Sequence, residues 1–324
     1  MIDRHGLRPV VAVCGTLSTL AWILLPMVSY WLYVLLAFVA GLFTVPTGSL
    51  ARQFVASLVP EDQRRPAYSL NMMLMELSFV IGPATGILLI TTYSATATLA
   101  GIGLWRALSY VVLYVLNWPT RNVDEVAANP DRVRPKLRTW MSGRLLAVMF
   151  VSAGALFVLY GTELALIAVL RASDQLAFTG YVIAAMSIAS IVGGYVHGIV
   201  HRSWSQMKLA LAMSLLLLPV VFFDDVWWWL MLALLPTNLL CTPTLAAGSE
   251  AVAKLAPSSV RGEVMGLHDS AYRIGQTLSA PIVGFAIDSV SPAMGFVAAA
   301  CGGIVLVGLG ALCNLRISAP ARAA

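Results

Sequence analysis

Charge is what this sequence has least of. Only 11% of its 324 residues are charged, where soluble domains carry about 25%, and 59% are hydrophobic. That balance excludes a water-soluble globular domain. The four cysteines, Cys14, Cys241, Cys301 and Cys313, stand in apolar stretches without the close spacing of a metal site or a disulfide framework. They read as small packing residues. There is no glycine-rich phosphate loop to use ATP directly, no histidine–glutamate zinc motif and no Gly-x-Ser-x-Gly nucleophile turn. An integral-membrane enzyme would need such a constellation near one boundary. No cofactor is implied, and the net charge of +5 gives no support for a nucleic-acid partner once its distribution is considered.

Long apolar runs are what the chain has in abundance. A bilayer core of about 30 Å takes roughly 20 helical residues to cross. Runs of that order fall at 9–29, 31–58, 68–91, 95–117, 143–170, 175–200, 206–223, 226–254, 260–287 and 292–315, so about ten spans are expected. Stretches such as LALAMSLLLLPVVFF are apolar all round, unlike the alternating strands of a membrane barrel. The expected fold class is all-α, a polytopic helix bundle in a lipid bilayer, and a monomer.

Basic residues collect at alternate junctions. One set holds Arg4, Arg8, Arg52, Arg64, Arg65, the run from Arg121 to Arg144, Arg202, Lys208, Lys254, Arg261, Arg316 and Arg322, while the opposite set has only Arg171 at its edge. Because Lys and Arg in short loops stay cytoplasmic, both termini are expected in the cytoplasm, with the protein in the cell membrane. The tryptophans of DDVWWWL follow an outer acidic turn and read as a headgroup anchor.

The polar, proline-containing segment 118–142 reads as a cytoplasmic linker between an N-terminal part, 1–117, and a C-terminal part, 143–324. Sliding TVPTGSLARQFVASLVPEDQRRPAYSL onto CTPTLAAGSEAVAKLAPSSVRGEVMGL pairs Pro46 with Pro243, Pro60 with Pro257, Arg64 with Arg261 and Leu70 with Leu267 without a gap. Two helices and their loop therefore occur twice in one orientation, as in transporters built from parallel halves. In the second part three spans precede this pair and in the first only one, so the repeat implies two further helices before Met1.

The opening DRHGLRP resembles the loop signature of the major facilitator superfamily, with Asp3, Arg4, Gly6 and Arg8 matching and Leu7 where a basic residue is usual. ELSFVIGPATGI is similar to the fifth-helix pattern of the family's drug/proton antiporters: Gly82, Pro83 and Gly86 match, while Ser78 and Ile87 replace outer glycines. The arginine those antiporters carry on the fourth helix is replaced by Ala37. The resemblance implies a bundle of two pseudo-symmetric halves entered at its third helix. It also implies secondary active transport by alternating access, with proton-coupled efflux of small, partly hydrophobic compounds of the kind that gives multidrug resistance. Alternatives are an uptake symporter of the same fold and an inactive truncated transporter.

Ionisable groups inside spans are costly, by about 2.5–3.5 kcal/mol on insertion scales, and usually face a cavity or a partner. Glu76 lies about 15 Å into its span at 1.5 Å per residue, near the midplane. Arg273 falls on the equivalent position of the repeat, with Asp269 one turn earlier to neutralise it. Glu76, Arg273, Asp269 and Glu163, the last nearer the outer boundary, are the expected coupling or substrate-binding residues, serving a small-molecule substrate and protons. His268 reads as a satisfied interior residue, Arg106 as snorkelling or packing, and Glu250 and Glu263 as gate or loop-orienting groups. Gly194 and Gly198 have the spacing for close helix approach. His197 and His201 lack a complete metal-ligand set.

Overall fold

The computed structural model describes residues 6–118, 140–200, 204–257 and 260–318. Among these, every regular element is helical: α1 Leu7–Leu24, α2 Tyr30–Leu42, α3 Thr47–Leu58, α4 Arg64–Thr92, α5 Ala95–Leu116, α6 Gly143–Ala172, α7 Thr179–Ile199, α8 Gln206–Leu217, α9 Trp227–Leu239, α10 Cys241–Leu255, α11 Arg261–Ser289 and α12 Met294–Ser318.

Among the described residues, seven stretches are long and apolar enough to cross a membrane on composition alone. The remaining expected spans are helical too, in α4, α8 and α11. α4 and α11 are 29 residues each, about 44 Å and ample to cross; in α11 the polar and charged residues dilute the apolar signal. α8 runs on into a short 3-10 turn at Leu218–Phe222.

Helix ends follow from local chemistry. Ser94 and Ser142 cap α5 and α6 by accepting the backbone N–H of Ala97 (3.1 Å) and Leu145 (3.2 Å). Asn117 closes α5 in the left-handed region, φ 41°. Pro60 and Pro257 stand just beyond the ends of α3 and α10 and cannot continue a helix. The register that pairs those prolines also carries Leu58 onto Leu255, Arg64 onto Arg261 and Thr92 onto Ser289. The bounds of α4 and α11 therefore coincide in the repeat. Both preceding spans are broken, the first across Phe43–Pro46 between α2 and α3, the second at Leu240 between α9 and α10.

The contacts form two compact units. The first takes the described residues of Met1–Leu58, Ser78–Arg132 and Ser258–Glu263. In it α1 packs on α2 and α5, around Leu7, Val11, Val45, Leu50, Phe54 and Tyr110. Arg52, one of the basic residues expected at a cytoplasmic junction, is only 1% exposed within this unit. The second unit takes the described residues of Val59–Leu77, Val133–Pro257 and Val264–Ala324. Its centre is α6 against α12, where Gly154 meets Leu306 and Gly303, and Gly161 meets Ala299 (2.9 Å from a would-be Cβ). The apolar core continues through Phe157, Leu166, Leu217, Leu230 and Phe296. At the start of α9, Gln175 accepts the N–H of Trp227 (2.7 Å), and the Trp227 ring stacks on Phe178 at 4.7 Å. Trp31, Tyr181 and Phe285 are exposed, as suits an apolar solvent. The linker expected at 118–142 lies almost wholly outside the described residues.

Candidate functional site

Within the second unit, α4, α7 and α10 bring four side chains together. Glu76 Oε1 accepts a hydrogen bond from Ser190 Oγ at 3.0 Å and lies 3.7 Å from Cys241 Sγ. Ser190 Oγ is in turn 2.8 Å from Thr242 Oγ1. Cys241 and Thr242 are the first two residues of α10, so the carboxylate sits against the N-terminal end of a helix begun inside a span. The interruption is the single residue Leu240, itself in the right-handed helical region and hydrogen-bonded on both sides, so the field there is a fraction of that at a free helix N-terminus, with the sign that favours an anion. Close approach of α7 permits the arrangement: a Cβ at Gly193 would run into the carbonyl of Leu239, and one at Gly194 into Thr242 and Met73. Gly198, one turn on, lies against Ser69 and Pro66 of α4. The small-residue spacing expected at Gly194 and Gly198 thus serves close packing.

Glu163 and Tyr160 belong to α6, and their side chains are within electrostatic range of Glu76. Arg273 pairs with Asp269 one helical turn away at 3.7 Å, the arginine 69% exposed and the aspartate 19%. Its charge reaches Tyr160. His268 is fully buried. Its Nε2 is 2.7 Å from Ser152 Oγ, which accepts from Gln206 Nε2 at 2.7 Å, and its ring leans on Tyr272. This chain ties α11 to α6 and α8, a packing role in line with its sequence reading.

Arg106, in the first unit, does not snorkel. Its Nη2 donates to Tyr110 OH (2.8 Å), Ser18 Oγ (3.1 Å) and Thr44 Oγ1 (3.3 Å), and the guanidinium faces the Trp22 ring at 5.4 Å. Ser18 and Thr44 both donate onward to the carbonyl of Ala40, near the end of α2. The negative end of an interrupted helix therefore compensates the cation through two hydroxyls. Arg106→Gln is expected to lower the thermal midpoint in detergent by several degrees, because charge-assisted bonds of this kind contribute about 1.5–3 kcal/mol. Melting followed by intrinsic tryptophan fluorescence checks this.

Arg65 donates to Glu250 (3.3 Å) and to the carbonyl of Val200 (2.9 Å), while Lys254 donates to the other Glu250 oxygen (2.8 Å). The first turn of α4 is thereby tied to α10 and to the end of α7. Of the loop signature, Asp3 and Arg4 lie outside the described residues. Gly6 takes φ 84°, open to glycine and strained for other residues. Arg8 donates to the carbonyl of Tyr114 at 3.2 Å. In the fifth-helix pattern α4 continues through Pro83. A Cβ at Gly82 or Gly86 would meet nothing within 4 Å among the described residues, so these glycines make no close helix contact there, unlike Gly193 and Gly194. His201 lies outside the described residues. Sequence reasoning missed the Ser190, Cys241 and Thr242 partners, since a single hydroxyl or thiol in an apolar run carries no periodic signal.

A bundle with paired breaks and buried polar groups at them is the architecture of a membrane transporter. The Major Facilitator Superfamily model matches residues 1–223, and the chain belongs to that family. The human organic anion transporter MFSD10 (TETRAN) superposes with a TM-score of 0.76 at 16% identity, over 95% of this chain and 78% of that one. The proton:xylose symporter XylE bound to 6-bromo-6-deoxy-D-glucose gives 0.69 at 11% identity, over 94% and 80%. The transporter FucP in its outward conformation gives 0.60 at 14%, over 95% and 82%. No curated protein sequence matches. The protein is thus an integral membrane protein with the fold of a transporter.

Proposed function

We propose that the protein is a proton-coupled secondary transporter that exports small, partly hydrophobic cations by alternating access, with Glu76 as its coupling residue. One observation carries the reading. A carboxylate deep in a span is held by a serine hydroxyl and a thiol. Among the described residues no lysine, arginine or histidine is bonded to it. Its charge is therefore open to a proton or to a cationic ligand, and the two compete. Glu163 adds negative field, while Asp269 neutralises Arg273 locally. The two halves 1–117 and 143–324 would flank the linker, with both termini in the cytoplasm.

Reconstituted vesicles with an imposed pH gradient test this. Movement of a cationic dye should oppose proton flow and stop when a protonophore collapses the gradient. Movement indifferent to the gradient would refute coupling. Movement in the same direction as protons would favour the uptake reading, which the likeness of the fold to proton symporters supports.

The Arg65–Glu250 tie has the geometry of a latch. Glu250→Gln removes the charge that both Arg65 and Lys254 engage and is expected to raise the labelling rate of a cysteine placed at Val200 severalfold. Labelling with a water-soluble maleimide measures it, and an unchanged rate would show that the pair does not restrain the α7 end.

A further inference from the structure

We propose that Ser190 and Thr242 form a reversible hydroxyl relay that passes the protonation state of Glu76 to the helix break at Leu240; the proposal rests on Glu76 as the coupling residue. A hydroxyl has one proton to donate. With Glu76 ionised, Ser190 spends its proton on Oε1 at 3.0 Å. The 2.8 Å contact with Thr242 then has Thr242 as donor. With Oε1 protonated, the carboxyl donates to Ser190 and the Ser190 proton turns to Thr242 Oγ1. No polar group is stranded in either state, and the direction of both bonds reverses.

The reversal ends at a sensitive place. Thr242 is the second residue of α10, and its hydroxyl, released from Ser190, turns toward the carbonyl one turn earlier, the usual acceptor for a helical threonine. That carbonyl belongs to Asn238, in the last turn of α9, and already accepts the N–H of Leu240. A proton arriving at Glu76 thereby changes the hydrogen bonding of the break between α9 and α10. Discontinuous spans are where alternating access bends, and Gly193 and Gly194 hold α7 against this junction.

The charged and titratable groups around Glu76 are Glu163 and Tyr160 from α6 and Cys241 from α10, with Arg273 of α11 acting on Tyr160. Among the described residues, α7 presents only Ser190 to the carboxyl. Ser190 and Thr242 are positioning residues that act through Glu76.

The sign follows from bond strength. Charge-assisted hydrogen bonds are roughly twice as strong as neutral ones, so the relay favours ionised Glu76, and removing it should move the pH of half-maximal exchange upward. Ser190→Ala is expected to shift that pH by about one unit and Thr242→Val by about half as much. Thr242→Ser should restore the parent profile. Because Thr242 acts through Ser190, the double variant should shift no further than Ser190→Ala alone. Exchange of a cationic dye in vesicles across a pH series, on variants with the parent's size-exclusion profile, reads these shifts. An unshifted Thr242→Val, or a double variant shifted by the sum of the singles, would overturn the relay. Glu76→Gln in the same assay separates the two ideas: if it stays coupled, the coupling residue is misassigned; if it uncouples while Thr242→Val is unshifted, only the relay falls.

Discussion

Replacing Glu76 with glutamine is expected to weaken but not abolish exchange of a cationic dye and to abolish its dependence on the proton gradient. With one proton exchanged per substrate, a gradient of one pH unit supports about tenfold accumulation. The variant should bring that ratio to about one. Glutamine keeps the shape of the protonated acid and can still meet Ser190, which lies 3.0 Å away in the native protein. It neither binds a proton nor carries a charge. A ligand can shift an equilibrium only through its differential affinity for the two states, and here both proton and cation act through one carboxylate. Counterflow of unlabelled against labelled dye measures exchange; gradient-driven uptake into the same vesicles measures coupling. Retention of tenfold accumulation by correctly inserted Glu76→Gln would move the search to Asp269 with Arg273, or to Glu163.

The fold was legible because the bilayer imposes a length on apolar runs and because this chain repeats itself. Pro60 and Pro257 end their helices wherever they occur, so a match of prolines and arginines without gaps foretold matching bounds for α4 and α11. Breaks inside spans were harder to see. Pro46 and Pro243 lie at or just after them, yet Pro236 lies within α9 without ending it. Whether a proline interrupts a span depends on what neighbouring helices supply to the freed backbone groups. That is tertiary information.

The site was legible in depth and blind in azimuth. Counting residues placed Glu76 near the middle of its span, but only packing showed Ser190 and Cys241 turned to it. The same limit hid the partners of Arg106, whose compensation comes from Ser18, Thr44 and Tyr110 rather than from an acid. Cys241 read as packing material because a thiol in an apolar run has no signature. The repeat correctly placed Glu76 and Arg273 at one register. It could not tell that the first accepts neutral donors while the second is paired along its own helix.

Glycines bear the second large effect. Gly194 lies one turn beyond Ser190 on α7 and shares its face. A Cβ there would enter Thr242 and stand 2.9 Å from Met73 Cγ. Gly194→Ala must therefore push α7 away from α10 and α4, an overpacking cost of typically 1–3 kcal/mol, and Gly194→Val more. Since the displaced face carries Ser190, proton coupling should fail along with stability. Gly82→Ala is the control, for its Cβ would meet nothing within 4 Å among the described residues. Alanine is favoured over glycine in a helix by about 0.5–1 kcal/mol, so Gly82→Ala should melt at or slightly above the parent. Thermal midpoints in detergent, with pH-dependent dye exchange in vesicles, check both variants. Gly194→Ala melting with the parent and keeping its pH profile would show that α7 and α10 tolerate a wider separation than their contact suggests.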